Sequence, residues 1–355
     1  MTGRGAVVTD ARPAGRPGTL RMPVLGIRLR PRSVMVSTVI ALACLAVGLV
    51  ALGTGDYPLS VPEVLRAMVA TDGGFATTVV LEWRLPRVLV ALAFGAALGV
   101  AGAIFQSLTR NPLGSPDIIG FATGSYTGAL IALTVLGSTY LSTAVGALIG
   151  GLLTALVVYL LAYRRGVQGF RLIIVGIAVT AVLHAVNTFL LLRVSTEVAM
   201  VASIWGAGSI SLVGWDEAVP AIIALLVITP VVMLLGGSLR QLELGDDAAK
   251  AHGVRVEPAR LALIVTGVAL TAVVTASAGP IAFVALATPQ IAKRLTRSPG
   301  LPLLPSALTG ALVLLLADFA AQHLLSGALP VGIVTVVLGG LYLIGLLVVE
   351  ARGRS

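Results

Sequence analysis

Charge is scarce in this 355-residue chain. Only 11% of its residues are Asp, Glu, Lys or Arg, against about 25% in an ordinary soluble domain. Hydrophobic residues make up 57%, and that balance excludes a soluble globular enzyme. Cysteine is nearly absent: Cys44 stands alone in the first apolar stretch, so no intrachain disulfide can form. The three histidines, His184, His252 and His323, are far apart and lack metal-ligand spacing. No metal or other cofactor is expected. The signatures of hydrolysis are missing too. Neither Lys250 nor Lys293 follows a glycine, so there is no Walker A loop and no ATP hydrolysis by the chain itself. No Gly-x-Ser-x-Gly elbow occurs, and Ser209, after Gly206-Ala207-Gly208, is followed by Ile210 rather than glycine. The chain is therefore not expected to be an enzyme.

What the chain does have is long apolar runs. Stretches of about 18 residues or more read as membrane-spanning helices. Ten are expected, at roughly 34–53, 86–108, 117–136, 140–162, 171–193, 218–236, 259–277, 280–296, 303–325 and 329–349. The fold class is thus an all-α polytopic membrane protein. Residues 1–32 hold seven arginines, four prolines and five glycines, and read as a flexible basic tail. Residues 33–350 form the membrane domain, and 351–355 a short C-terminal tail.

The net charge of +9 is topological rather than a sign of nucleic-acid binding. With the N-terminus inside and ten spans alternating, Arg66, Arg84, Arg87 and Arg193 fall outside, and the other twenty basic residues fall inside. That split obeys the positive-inside rule and places both termini in the cytoplasm. An odd number of spans would put Arg352 and Arg354 outside.

Two connections are long enough to carry function. The outer one, 54–85, contains an amphipathic stretch from Val61 to Val69, with Ser60 and Pro62 as cap and first-turn residues. The inner one, 238–258, reads as two short helical pieces broken at Gly245, with a core at 240–256. Asn111-Pro112-Leu113-Gly114-Ser115-Pro116-Asp117 is a proline-bracketed turn, with Asp117 as a helix cap. Gly279-Pro280 makes a second break, which suggests two halves of similar plan. Gly95, Gly99, Gly102, Gly120, Gly124 and Gly128 are read as packing residues that let helices approach closely. Asp318 is the one carboxylate well inside an apolar run. Such a residue is either the coupling site of an ion-driven carrier or a group held by a structural partner.

Taken in order, these motifs resemble the FecCD-type permease subunits of ATP-binding-cassette importers for iron-siderophores, haem and cobalamin. The matching residues are Arg84-Leu85-Pro86-Arg87, Gly95 to Gly102, Gln106, Asn111-Pro112-Leu113, Pro116-Asp117-Ile118-Ile119-Gly120, Leu244-Gly245-Asp246 through Gly253-Val254, Gly279-Pro280-Ile281-Ala282-Phe283-Val284, Pro289, Ala317-Asp318 and Leu329-Pro330-Val331-Gly332-Ile333-Val334-Thr335. The resemblance covers residues 34–350. It implies a type II importer permease in the bacterial cytoplasmic membrane, with no chemistry of its own. The implied partners are two cytoplasmic ATPase subunits, an extracytoplasmic substrate-binding protein, and a second copy or a paralogue of the permease. The implied cargo is a ferric siderophore, with haem or cobalamin as alternatives.

Residue by residue, the resemblance assigns docking of the binding protein to Arg84 and Arg87. It assigns ATPase coupling to Leu242, Leu244, Gly245, Asp246, Ala248, Ala249 and Gly253. It assigns the narrowing of the pathway to Ser195 and Thr196, and a structural or docking role to Asp318. Two departures stand out: Gln290 replaces the histidine usual after the proline of the eighth helix, and Gln322 replaces a third outer arginine.

Overall fold

A computed structural model describes residues 20–22, 27–29, 31–69, 74–117, 120–137, 139–163, 169–211, 213–323 and 329–352. Residues 1–19, 23–26 and 30 of the basic tail, Ile118 and Ile119 of the first break, Arg164 and Arg165, and residues 353–355 lie outside that description. In the tail, β1 (Leu20–Met22) pairs antiparallel with β2 (Ile27–Leu29), Arg21 opposite Arg28. A short ladder thus stands where the sequence reads only as a flexible tail.

The rest is helical. In order come α1 (Pro31–Gly53), α2 (Val61–Val69), α3 (Phe75–Thr78), a π-helical turn (Val79–Arg84) and α4 (Leu85–Thr109). They are followed by α5 (Phe121–Val135), α6 (Tyr140–Ala162), α7 (Gly169–Leu191), α8 (Thr196–Gly206) and α9 (Trp215–Glu243). The series ends with α10 (Asp246–Ala251), α11 (Val256–Ala278), α12 (Val284–Thr296), α13 (Leu303–His323) and α14 (Val331–Arg352). Among the described residues seven helical stretches are long and apolar enough to cross a bilayer: α1, the continuous run Phe75–Thr109, α6, α7, α9, α11 and α13. The shorter apolar helices α5 and α14, and the 13-residue α12, complete ten elements that match the ten expected spans.

Several boundaries differ from the sequence reading, each for a local reason. The third span starts at Phe121, not 117, because Gly120 takes a left-handed φ of 83° and turns the chain into the helix. The Asp117 side chain does not cap α5; Gly120 is the N-cap, and its N–H donates to the Asp117 backbone carbonyl. The eighth span starts at Val284, not 280: Gly279 is left-handed at φ 71°, and Pro280 to Phe283 stay non-helical. The helix that carries Arg84 begins at Phe75, well inside what reads as a loop. α8 was not anticipated. Ser195 starts it by accepting the Val198 N–H.

Helix α4 is the axis of the larger core. Its glycines meet backbone rather than side chains. A Cβ on Gly95 or Gly99 would strike the Gly310 or Ser306 carbonyl of α13, and one on Gly102 would strike the Ala285 carbonyl of α12. A second seam joins α5 to α6, where Gly124 and Gly128 face Gly150 and Gly146. Both seams follow the small-residue rule for membrane helices. Val90, Phe94, Leu98, Ala101 and Ile104 of α4 lie in one buried cluster with residues of α9, α11, α12 and α13. Phe105 and Phe121 lie in another, with Val158, Leu172 and Ile264.

Candidate functional site

At the inner end of the bundle the chain makes a sharp corner. α9 runs through to Glu243, then Leu244 and Gly245 turn it into the six-residue α10. Gly245 has φ 116° and ψ 154°, a conformation that side chains oppose. α10 closes at Gly253, φ 81°, whose N–H bonds to the Lys250 carbonyl while the Val254 N–H reaches the Ala249 carbonyl. This 6→1 and 5→2 pairing is a Schellman stop. Leu242 and Ala249 are buried in the core, whereas Leu244 is 67% exposed. Ala248 is half-buried, and its carbonyl accepts the His252 N–H.

Asp246 holds the corner together. Arg260 of α11 donates through Nη2 to both of its oxygens at 2.8 Å, and Arg110 at the end of α4 donates through Nη2 to Oδ1 at 2.9 Å. Partial burial would raise the Asp246 pKa, but the hydrogen bonds and charge of Arg260, with the charges of Arg110 and Lys250, outweigh it. They hold the carboxyl below its ordinary value. Arg260 also donates to Glu257 at 2.8 Å. Arg110 sits in a left-handed conformation, φ 50°, as the residue that ends α4. Glu243 adds a second tie: it accepts from Ser107 Oγ at 2.6 Å and from the Leu301 N–H at 3.2 Å. Asp246 thereby wires α10 to α4 and α11, while Glu243 ties the end of α9 to α4 and to the turn before α13.

At the outer end the two expected docking arginines are already engaged. Arg84 donates to the Leu52 carbonyl and the Tyr57 carbonyl, both at 2.8 Å, and so closes the C-terminus of α1. Arg87 clasps Asp318 with two bonds, Nε to Oδ2 at 3.0 Å and Nη2 to Oδ1 at 2.8 Å. Its Nη2 also donates to Ser211 Oγ at 3.0 Å. Gln322 donates to Asp318 Oδ2 at 2.7 Å, so the residue that replaces an arginine completes the carboxylate's shell. The side chains of Arg87 and Asp318 are 15% and 6% exposed. Asp318 is thus not a free intramembrane carboxylate, and the ion-coupling reading loses its group.

Ser195 and Thr196 are both exposed at the start of α8. Ser195 acts there as an N-cap, and nothing in the described geometry narrows a pathway around them. The other departure, Gln290, donates to Gln106 Oε1 at 2.7 Å, while Gln106 donates to the Leu286 carbonyl at 2.8 Å. Sequence reading singled out Asp246 but missed Arg110, Arg260 and Glu243. The Glu257/Arg260 spacing of three on α11, at an otherwise apolar helix start, was the available signal. Arg110 lay beside the Asn-Pro break without any pattern to mark it. Among the described residues no cluster of three His, Cys, Asp or Glu could hold a metal ion.

The description of the FecCD transport family matches residues 42–349, most of the chain. The chain belongs to the FecCD transport family. It is 47% identical over 313 residues to the ferric enterobactin transport system permease protein FepG of Escherichia coli strain K12, covering 88% of this chain and 95% of that one. It is 39% identical to the achromobactin transport system permease protein CbrC of Dickeya dadantii, covering 86% and 89%. Among solved structures it is similar to an inward-facing metal-chelate type ABC transporter, at a TM-score of 0.77 and 28% identity, covering 89% of this chain and 99% of that chain. The chain is a multi-pass permease of the bacterial cytoplasmic membrane.

Proposed function

We propose that the chain is the transmembrane subunit of an ATP-binding-cassette importer that carries ferric siderophores inward. The similarity to the ferric enterobactin permease over 88% of the chain is the observation that carries this reading. The achromobactin permease supports the same cargo class. The chain works with a second permease copy or a paralogue, with cytoplasmic ATPase subunits and with an extracytoplasmic binding protein. It does no chemistry itself.

In this reading α10, with Leu242, Leu244, Gly245, Asp246, Ala248, Ala249 and Gly253, is the segment the ATPase moves. Asp246 passes the displacement to α4 through Arg110 and to α11 through Arg260. Arg84 and Arg87 form the outer docking surface, where acidic groups of the binding protein meet Arg87 in competition with Asp318. The assignment of Ser195 and Thr196 to the outer gate rests on the family resemblance alone; both lie exposed at the start of α8.

Uptake of radiolabelled ferric siderophore into proteoliposomes, with ATPase and binding protein supplied, tests the reading. Uptake must need ATP and the binding protein. Transport of haem or cobalamin but not siderophore would change the cargo and keep the mechanism. Uptake that ignores ATP and follows a proton or sodium gradient would overturn it.

A further inference from the structure

A polar cavity of about 380 Å³ opens beside the coupling corner. It lies among the C-terminal ends of α4, α9 and α12, and Gln106, Ser107, Arg110, Glu243, Gln290 and Lys293 line it. Its charge is unbalanced. Two cations, Arg110 and Lys293, line it against one carboxylate, Glu243, whose hydrogen bonds come from the neutral Ser107 Oγ and the Leu301 N–H. Lys293 has no carboxylate within ion-pair distance among the described residues, nor do Arg294 and Arg297 beside it.

The backbone at the rim is unusual as well. α4 ends on Arg110 at φ 50° and α12 ends on Arg297 at φ 48°. Both positions ordinarily go to glycine. Each makes the same closure: Asn111 N–H to the Gln106 carbonyl, and Ser298 N–H to the Lys293 carbonyl. Non-glycine residues held this way collect at functional sites. Arg110 lines the cavity itself, and Arg297 ends the helix that carries its Lys293.

We propose that this cavity is a second docking socket for the cytoplasmic ATPase, in which Lys293, flanked by Arg110, receives an acidic side chain of that subunit. The inference rests on the importer reading above. Two observations favour a protein side chain over a small ligand. The cavity is wide-mouthed, and a small-molecule site encloses most of its ligand. It also shares Arg110 and Glu243 with the corner that carries α10, so a subunit seated on α10 reaches the socket without a second approach.

Retention of the cognate ATPase by the full-length permease in detergent, at low and at high salt, is the test. Lys293→Glu should lower retention at least about tenfold at low salt, as expected for reversing one charge of a desolvated pair. Lys293→Arg should keep it. Replacing the partnering ATPase carboxylate by lysine should restore binding to Lys293→Glu. The variant's yield in the membrane and its melting temperature should match wild type, which separates lost docking from lost folding. Wild-type retention in Lys293→Glu would overturn the socket. So would stabilisation of wild type, but not Lys293→Glu, by inorganic phosphate with ATPase retention unchanged, because the site would then serve a free anion. Failure of the wild-type permease to retain any ATPase would instead sink the importer reading, a separate result.

Discussion

Arg87 and Asp318, 231 residues apart, meet through two hydrogen bonds and tie α4 to α13 at the outer end of the bundle. The pair is largely buried, so its two members are not equivalent to free surface charges. Removing one leaves the other desolvated and unmatched.

Asp318→Ala should therefore destabilise the protein by about 3–5 kcal/mol. The double change Arg87→Met with Asp318→Leu should cost much less, because no buried charge is left over. Thermal melting in detergent checks both. Equal destabilisation by the single and double variants would refute a buried ion pair. If Arg87 also docks the binding protein, the double variant should be stable and still fail in binding-protein association.

Asp246→Asn should uncouple hydrolysis from uptake. The asparagine retains the shape but loses the charge that Arg110 and Arg260 meet, so ATP turnover should persist while cargo uptake falls by at least tenfold. A variant that transports normally would remove Asp246 from the coupling path.

The same residue predicts a pH dependence. Its carboxyl is held below the ordinary value of about 3.9, so folding favours the ionised form. That stabilisation is complete above the ordinary value and is lost as pH falls through the lower folded value. The melting difference between wild type and Asp246→Asn should hold from pH 7 to about 5 and close toward pH 3. A gap that widens on acidification would contradict the assignment.

Gln290→Ala should cost about 1–3 kcal/mol, because it strands the buried Gln106 Oε1 without a donor. Gln290→His should recover part of this, since an imidazole N–H can donate to the same oxygen, and should make the contact titrate between about pH 5 and 8. Melting of the three proteins across that range decides it.

Gly99→Ala should destabilise by about 1–3 kcal/mol, since the new methyl meets the Ser306 carbonyl. Gly237→Ala, which meets nothing within 4 Å, should be neutral or slightly stabilising. Equal melting of the two variants would mean the α4–α13 seam is looser than described.

The spans were legible because a bilayer demands length and hydrophobicity, and both are local properties. The break at Gly245 was legible for the same reason: glycine, acid and alanine in that order describe one corner. What escaped was direction. Nothing local tells whether Arg84 points outward or back onto the Leu52 and Tyr57 carbonyls, and it does the second. Asp117 followed the sequence pattern of a helix cap, but Gly120 moved the helix start and left the carboxylate short of it, its Oδ2 buried without a partner among the described residues. The role of Gln322 was invisible until Asp318 was placed next to it. Two local signals were overlooked: Ser195 followed closely by Glu197 in the first turn of α8, and the Glu257/Arg260 spacing at the start of α11.

The glycine seams have a mechanical meaning. Where two backbones touch directly, as at Gly95 and Gly310 or Gly128 and Gly146, little compliant layer is left to shear, so α4 with α13 and α5 with α6 should each move as one stiff beam. α11 lies between these beams and contacts them through deformable side chains, Leu263 and Leu270 toward one, Ile264 and Val268 toward the other. Any change of shape in a single subunit is then confined to that softer joint. A cross-link within either glycine seam should leave transport untouched, while one that fixes α11 to both beams should arrest it.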